Sequence, residues 1–221
     1  MDFIYIVLAA LMGYLLGAIP FGFLFVKFTK GIDLRDEGSG RTGATNSLRA
    51  AGIGVFFLTF LMDIVKGAAA IWMTRAIMGD LLPPAYLPWA EAAAGVMSVI
   101  GHNWSVFLKF GGGAGTGPNI GWALAVWWPA AIMACIVGGA LLYGLGMASV
   151  ASLAVAALIP IIFAARYFLD DISAAYMVGG LITAAIVTWA LRPNIKRILA
   201  GEERLVGPAA KRKEKRESVE S

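Results

Sequence analysis

Glycines, hydroxyls, amides and arginines crowd the stretch from Gly38 to Gly52, which reads GSGRTGATNSLRAAG. Backbone amides beside Gly38 and Gly40 can converge on an anion, Ser39, Thr45 and Asn46 add hydrogen-bonding groups, and the Arg49 guanidinium can grip two phosphate oxygens at once. The chemistry this set suits is the holding of phosphate. The plainer alternative is a flexible polar loop kept on the cytoplasmic side by its positive charge. Asp63 and Lys66 then stand three residues apart inside an apolar run, FLTFLMDIVKGAAA. A helix sets them on one face as an ion pair, and ionisable groups in such a run face a bundle interior or a water-filled cavity. That pair either fixes helix packing or touches a substrate. A third set, GHNWSVFLKFGGGAGTGPN, holds the only histidine of the chain, His102, together with Lys109 and a run of glycines. His102 is either a catalyst or a hydrogen-bonded packing residue. Amides at Gly112, Gly113 and Gly115 can approach a phosphate or a developing oxyanion closely.

Composition says what must position these groups. Hydrophobic residues make up 59% of the 221 and charged residues 14%, and the mean hydropathy is +0.77. This is the balance of an integral membrane protein, not of a soluble domain. The first apolar segment, FIYIVLAALMGYLLGAIPFGFLFV, lacks a preceding basic region and is longer than a secretory signal core, so it is expected to remain as a transmembrane helix. Further apolar spans are expected over 52–78, 86–104, 118–168 and 171–191, rich in the small residues that let membrane helices pack closely. The expected fold is all-α, a polytopic transmembrane bundle.

Basic residues set its orientation. Lys27, Lys30, Arg35, Arg41 and Arg49 mark one interval as cytoplasmic, and Arg192, Lys196, Arg197 and the KRKEKR run mark the C-terminus likewise. The turn with Asp80, Pro83 and Pro84 has no basic residue and is expected outside, which puts the N-terminus outside and returns the glycine-rich stretch to the cytoplasmic face. An even number of spans must then cover 118–191. Three short or partly re-entrant helices within 118–168, broken near Gly138, Gly139 and Gly144 to Gly146, give seven spans overall; one long tilted helix there gives five. The chain divides into a membrane domain, 1–205, and a basic tail, 206–221, expected to be disordered for want of apolar residues.

One cysteine, Cys135, excludes an internal disulfide, and no cluster of histidine or cysteine calls for a metal. No cofactor is implied. The tail supplies most of a calculated pI of about 9.3, which positive-inside retention accounts for without nucleic acid.

The motifs taken together resemble the bacterial acylphosphate-dependent glycerol-3-phosphate acyltransferases, small polytopic enzymes that make lysophosphatidic acid. The resemblance covers nearly the whole chain. It runs through AIPFG at 18–22, GSG.TGATN.LR.AG within 38–52, the D..KG of Asp63, Lys66 and Gly67, GHNWSVFLKF at 101–110, and N.KR.LAGEE at 194–203. It implies a fatty acyl phosphate as donor, glycerol 3-phosphate as acceptor, and polar loops meeting at the cytoplasmic face of the bacterial inner membrane. Ser39, Arg49, His102 and Asn194 become the implied catalytic set. Gly38, Gly40, Arg41, Thr45, Asn46, Lys109, Gly112, Gly113, Gly115 and Arg197 become the implied substrate and phosphate contacts. The chain is expected to work as a monomer within membrane lipid.

An activated acyl phosphate needs no covalent enzyme intermediate, so the protein must align two anions, relieve their repulsion and stabilise the oxyanion. In such enzymes a substrate phosphate helps to take the proton. Other glycerolipid acyltransferases pair a histidine with an aspartate five residues on; Phe107 stands there instead, which excludes that mechanism for His102.

The chain also departs from the pattern. Gly111 and Ala114 stand where lysines are expected, the second a phosphate ligand, Arg41 stands where asparagine is common, and Leu191 where a histidine is expected. Arg41, Lys109 and Arg192 are cations that can offset the loss. The alternative function is a paralogue that acylates another polar acceptor, or binds a phosphorylated lipid without turnover. A transporter on the same bundle would need polar residues across several spans, and here polarity gathers at one face.

Overall fold

The structure is a computed structural model that describes residues 2–169, 172–207 and 209–210. Ten α-helices follow one another among those residues: α1 (Asp2–Ala18), α2 (Phe21–Lys30), α3 (Ala44–Ala51), α4 (Ile53–Met78), α5 (Leu87–Asn103), α6 (Thr116–Val126), α7 (Trp128–Leu145), α8 (Ala148–Phe168), α9 (Ala174–Ala190) and α10 (Arg192–Leu199). Pro20 separates α1 from α2, because proline cannot continue the hydrogen-bond ladder and pushes Ile19 out of helical geometry.

Small residues set the contacts between helices. A methyl group on Gly17 of α1 would lie 2.1 Å from the Ser98 carbonyl oxygen of α5, so the two backbones touch. The same holds for α4 and α6, where a methyl on Gly121 would lie 2.0 Å from the Ile64 carbonyl oxygen. Such close crossings are how helices associate when lipid removes the hydrophobic drive. A denser core lies between α6, α8 and α9, where Trp122 and Phe163 are fully buried and meet edge to face at 5.0 Å. Large apolar side chains such as Phe3, Leu11, Phe57, Leu61, Ile136 and Ile161 are exposed on the outside of the bundle. In water that surface would be a liability, whereas in lipid it is the required one.

By length and hydropathy, four helical stretches can cross a membrane: Asp2–Lys30, Ile53–Met78, Trp128–Leu145 and Ala148–Phe168. A fifth is available if α9 and α10, bent by 62° at Leu191, count as one span. The other members of the bundle are shorter, α5 with 17 residues and α6 with 11. All the apolar segments expected from the sequence are helical, but length and hydropathy support four or five crossings. The long 118–168 segment does divide into three helices. Its breaks fall at Trp127 and at Gly146 and Met147, while Gly138 and Gly139 lie inside α7, correcting the expected break there. Glycine in a lipid-packed helix is tolerated where a neighbour approaches or a cavity opens, which is the case for this pair.

At the far end of α4 and α5 from the polar loops, Arg75 donates two bonds of 2.9 Å to the buried Glu91 carboxylate, and the Tyr176 hydroxyl adds a third at 2.8 Å. This cluster ties α4, α5 and α9 together. Val206, the first residue assigned to the tail, is buried, and its amide donates to the Gly146 carbonyl at 2.9 Å. The KRKEKR run beginning at Lys211 lies outside the described residues.

Candidate active site

The two loops flanking α3 and α6 meet over the ends of α4 and α5. Asn46, at the start of α3, holds the first loop in shape. Its side-chain amide donates to the carbonyls of Leu34, Glu37 and Arg41 at 2.9–3.1 Å, and its Oδ1 accepts from the Ser39 amide at 3.1 Å. Both N–H groups of that side chain and one lone pair of its oxygen are spent on folding the loop, so Asn46 organises the site while it also lines the cavity. Gly38 and Gly40 have positive φ, 52° and 69°, and a methyl on Gly38 would lie 2.4 Å from Asn46 Oδ1. These glycines let the loop wrap its asparagine.

The glycine-rich loop is held differently from what its sequence suggests. Gly113 donates its amide to the His102 carbonyl at 2.9 Å, and a methyl on Gly113 would lie 2.0 Å from His102 Nε2. The Gly112 carbonyl accepts from the Thr42 amide at 3.2 Å, which joins the two loops. Gly112 and Gly113 therefore serve close packing around His102, and the Gly113 amide is already committed. Gly115, with φ 87°, precedes α6 and lies against Val99 and Asn103. Lys109 is exposed on a left-handed residue outside the cavity wall, as its neighbours Phe107 and Phe110 are. The expected phosphate contact from Lys109 is thus not assembled here.

His102 is buried with Asp63 and Lys66. Lys66 Nζ lies 2.8 Å from Asp63 Oδ1, 2.9 Å from the Ile19 carbonyl and 2.9 Å from His102 Nδ1. The contact with Asp63 is Coulombic, since no donor is aligned on that oxygen. Asp63 Oδ1 also lies 3.5 Å from His102 Nδ1; with Lys66 an ammonium, which only donates, Nδ1 of His102 accepts from it and the ring proton resides on Nε2. Lys66 fixes the ring and stays out of the cavity wall, whereas Asp63 and His102 belong to it.

That cavity has a volume of about 360 Å³. Ser39, Arg41, Thr45, Arg49, Asn194 and Arg204 supply its polar wall. Arg41 reaches across to donate to the Gly113 carbonyl at 3.0 Å, to Asn194 Oδ1 at 3.3 Å and to the Ala190 carbonyl. Asn194 in turn donates to Glu203 at 2.8 Å, and Arg197 holds the same carboxylate at 3.2 Å. Arg197 therefore acts behind the wall, through Glu203. Burial lowers the pKa of Arg41, with Arg197 adding to the effect and Glu203 opposing it. Arginine starts so high that the group remains a cation.

An apolar wall adjoins the polar one. Leu142, Gly139 and Cys135 follow one face of α7 away from Gly146, and Phe57, Phe60 and Val155 face them from α4 and α8. From Gly146 to Cys135 this wall descends roughly 16 Å at the helical rise. Cys135 is exposed, so the groove opens sideways toward the lipid. Between the two walls sit hydroxyls from α6 and α8: Thr116 donates to Ser152 at 2.7 Å, and the buried Ser149 hydroxyl has no hydrogen-bond partner among the described residues.

The sequence reading missed Arg204, Ser149 and Ser152. Arg204 reads as one more basic residue of the C-terminal segment, and the two serines lie in a span that reads as apolar. Their spacing of three residues at a helix start was the available signal. No group of three or more potential metal ligands occurs among the described residues.

The site of this helical membrane protein thus joins a cationic polar wall to an apolar groove in one cavity. A statistical model of the family Glycerol-3-phosphate acyltransferase matches residues 7–201. A glycerol-3-phosphate acyltransferase of Gloeobacter violaceus is 36% identical over 198 residues, covering 89% of this chain and 93% of its own. Glycerol-3-phosphate acyltransferase 3 of Dehalococcoides mccartyi strain CBDB1 is 36% identical over 219 residues, covering 93% and 98% respectively. Among solved structures, PlsY, an integral membrane glycerol 3-phosphate acyltransferase crystallised in its glycerol 3-phosphate form, superposes with a TM-score of 0.78 at 29% identity, covering 91% of this chain and 96% of that one. The chain belongs to the glycerol-3-phosphate acyltransferase family.

Proposed function

We propose that the protein transfers a fatty acyl group from an acyl phosphate to the 1-hydroxyl of glycerol 3-phosphate, releasing inorganic phosphate and lysophosphatidic acid. The observation that supports this most is the junction of a cationic, hydroxyl-lined wall and a lipid-open apolar groove in one cavity. An acyl phosphate has the matching form, a dianionic head on a long chain. In this reading the acyl chain follows Leu142, Gly139 and Cys135, with its carboxyl carbon toward Ser39 and His102, which line the same cavity.

The acceptor oxygen attacks that carbon and forms the new ester bond. The bond from carbon to the phosphate oxygen breaks, phosphate leaves with the electron pair, and the acceptor proton passes to a phosphate oxygen. His102 Nε2 and the Ser39 hydroxyl are donors suited to the tetrahedral oxyanion. Arg49 holds a phosphate through its planar fork, and each such charge-assisted contact contributes about 1.5–3 kcal/mol. Arg41 supplies the cation that a lysine at Ala114 would otherwise bring. The reaction takes place at the cytoplasmic face of the bacterial inner membrane.

Protein reconstituted in lipid nanodiscs with palmitoyl phosphate and glycerol 3-phosphate should release phosphate and form lysophosphatidate. No product above an Arg49→Ala control would overturn the reading.

A second reading keeps the donor and changes the acceptor. It is favoured by Ala114 and the buried Leu191, apolar residues that belong to the cavity wall where the family pattern carries a lysine and a histidine. An acceptor screen decides between them: a clear preference for glycerol 3-phosphate over other polyol phosphates rules the second reading out.

A further inference from the structure

Arg204 lies in a short segment tied at both ends. On one side, Glu203 is held by Asn194 at 2.8 Å and by Arg197 at 3.2 Å. On the other, the amide of the buried Val206 donates to the Gly146 carbonyl at 2.9 Å, in the turn between α7 and α8. The chain between these ties crosses from α10 to α8, and Arg204 forms part of the cavity wall there. Arg49 reaches the same wall from α3.

Neither guanidinium meets a carboxylate or a carbonyl within bonding distance among the described residues, unlike Arg35, Arg41, Arg75 and Arg197, which are all engaged. Burial lowers the pKa of Arg49, the exposed Arg204 lowers it further, and Glu203 opposes both. Two unspent cations facing one cavity repel, and a doubly charged anion between them removes the repulsion. The planar fork of arginine fits two oxygens of a phosphate, so a pair of forks matches a phosphate dianion better than any carboxylate.

We propose that Arg204 and Arg49 form a two-arginine clamp on a substrate phosphate dianion, with residues 203–206 acting as the strap that holds Arg204 over the cavity. This rests on the reading of the cavity as the acyl-transfer site. Arg49 belongs to the loop set that the sequence already singles out; Arg204 comes from the opposite end of the chain and completes the clamp only when the strap is fastened. The dianion is either the acyl phosphate head or glycerol 3-phosphate, and both present the same three terminal oxygens.

The test uses the full chain in nanodiscs and measures KM for each substrate with the other saturating. Arg204→Gln should raise the KM of one substrate about tenfold to a hundredfold, the loss expected for one charge-assisted contact, with a smaller change in kcat. The substrate whose KM rises is the one clamped. Arg204→Lys should fall between, and Val206→Pro, which removes the amide bond to Gly146 and keeps the guanidinium, should raise the same KM. Thermal unfolding of each variant reports whether it is folded, and Arg204→Lys keeps the charge if Arg204→Gln is not. If neither KM moves more than twofold in a folded Arg204→Gln protein, the clamp is wrong. Should the wild-type chain turn over neither substrate, inorganic phosphate serves as the probe. Stabilisation by phosphate that is lost in both Arg49→Gln and Arg204→Gln upholds the clamp while the acyl-transfer reading fails; equal stabilisation of wild type and Arg204→Gln overturns it.

Discussion

The Arg41 guanidinium donates to the carbonyl of Gly113 at 3.0 Å, which sets a permanent cation beside Ala114, the residue standing where the family pattern carries lysine. Arg41 thus brings a cation to the cavity from the other loop. The loop that carries it is fixed by Asn46, and the loop that receives it is fixed by His102.

If Arg41 replaces that lysine, Arg41→Asn should lower kcat/KM by one to two powers of ten, the loss of about 1.5–3 kcal/mol of charge-assisted contact. Ala114→Lys added to Arg41→Asn should restore a large part of it. Phosphate release from acyl phosphate measures both. Failure of the second change to recover activity in a folded protein means that Arg41 acts only as a brace for Gly113, Ala190 and Asn194.

The buried set of Asp63, Lys66 and His102 predicts strong coupling. Removing one partner leaves an uncompensated buried charge, typically at 3–5 kcal/mol, whereas removing both members of an ion pair costs far less. Asp63→Asn and Lys66→Met should each lower the thermal unfolding midpoint in detergent sharply, and the double variant should recover part of the loss. Additive losses would show that the pair is not coupled.

His102 holds its Nδ1 against Lys66, so the ring offers a donor and no free lone pair. His102→Gln, which keeps an amide donor near the Nε2 position, should retain much of the activity, and His102→Ala should lose about a hundredfold, the usual scale for one oxyanion donor. The rate should not follow an imidazole titration between pH 5 and 8. A histidine-like limb on that profile would mean that the ring works as a base.

Gly139 has nothing within 4 Å of the position a Cβ would take, and it faces the groove on α7. Gly139→Leu should therefore fold and fill the groove below Leu142. Palmitoyl phosphate should lose at least tenfold in kcat/KM while octanoyl phosphate changes little, since each methylene denied its burial forfeits about 0.8 kcal/mol. Equal effects on both donors would place the acyl chain elsewhere. Gly113→Ala should behave differently, because a methyl there meets His102 Nε2 at 2.0 Å and must displace the ring or the loop.

Much of the fold could be read from apolar segments alone, because each helix that touches lipid must be apolar for its whole length. The count of crossings could not. α5 and α6, 17 and 11 residues long, pack against α1 and α4 at backbone distance through glycines such as Gly17 and Gly121, and a hydropathy trace does not see such contacts. The polar residues of the site were legible by type, since Ser39, Thr45, Arg49 and His102 do gather at one cavity. What each does depends on hydrogen bonds that spacing does not reveal. Asn46 and Gly113 look like ligands in the sequence and turn out to be spent on the loops themselves. Lys109 reads as a cation able to offset the missing lysine, yet it is exposed and lies outside the cavity wall. Arg204 looks like one of many basic residues near a terminus, and only the bond from Val206 to Gly146 shows that its segment returns to the site.

The account stands most directly on one assay. Protein in nanodiscs is given palmitoyl phosphate and glycerol 3-phosphate, and inorganic phosphate and lysophosphatidate are quantified together, with palmitoyl thioester as the competing donor and Arg49→Ala as the control. Equal amounts of the two products from acyl phosphate, and none from the thioester or from the control, are the expected result; product no greater than the control, or product from the thioester alone, would contradict it.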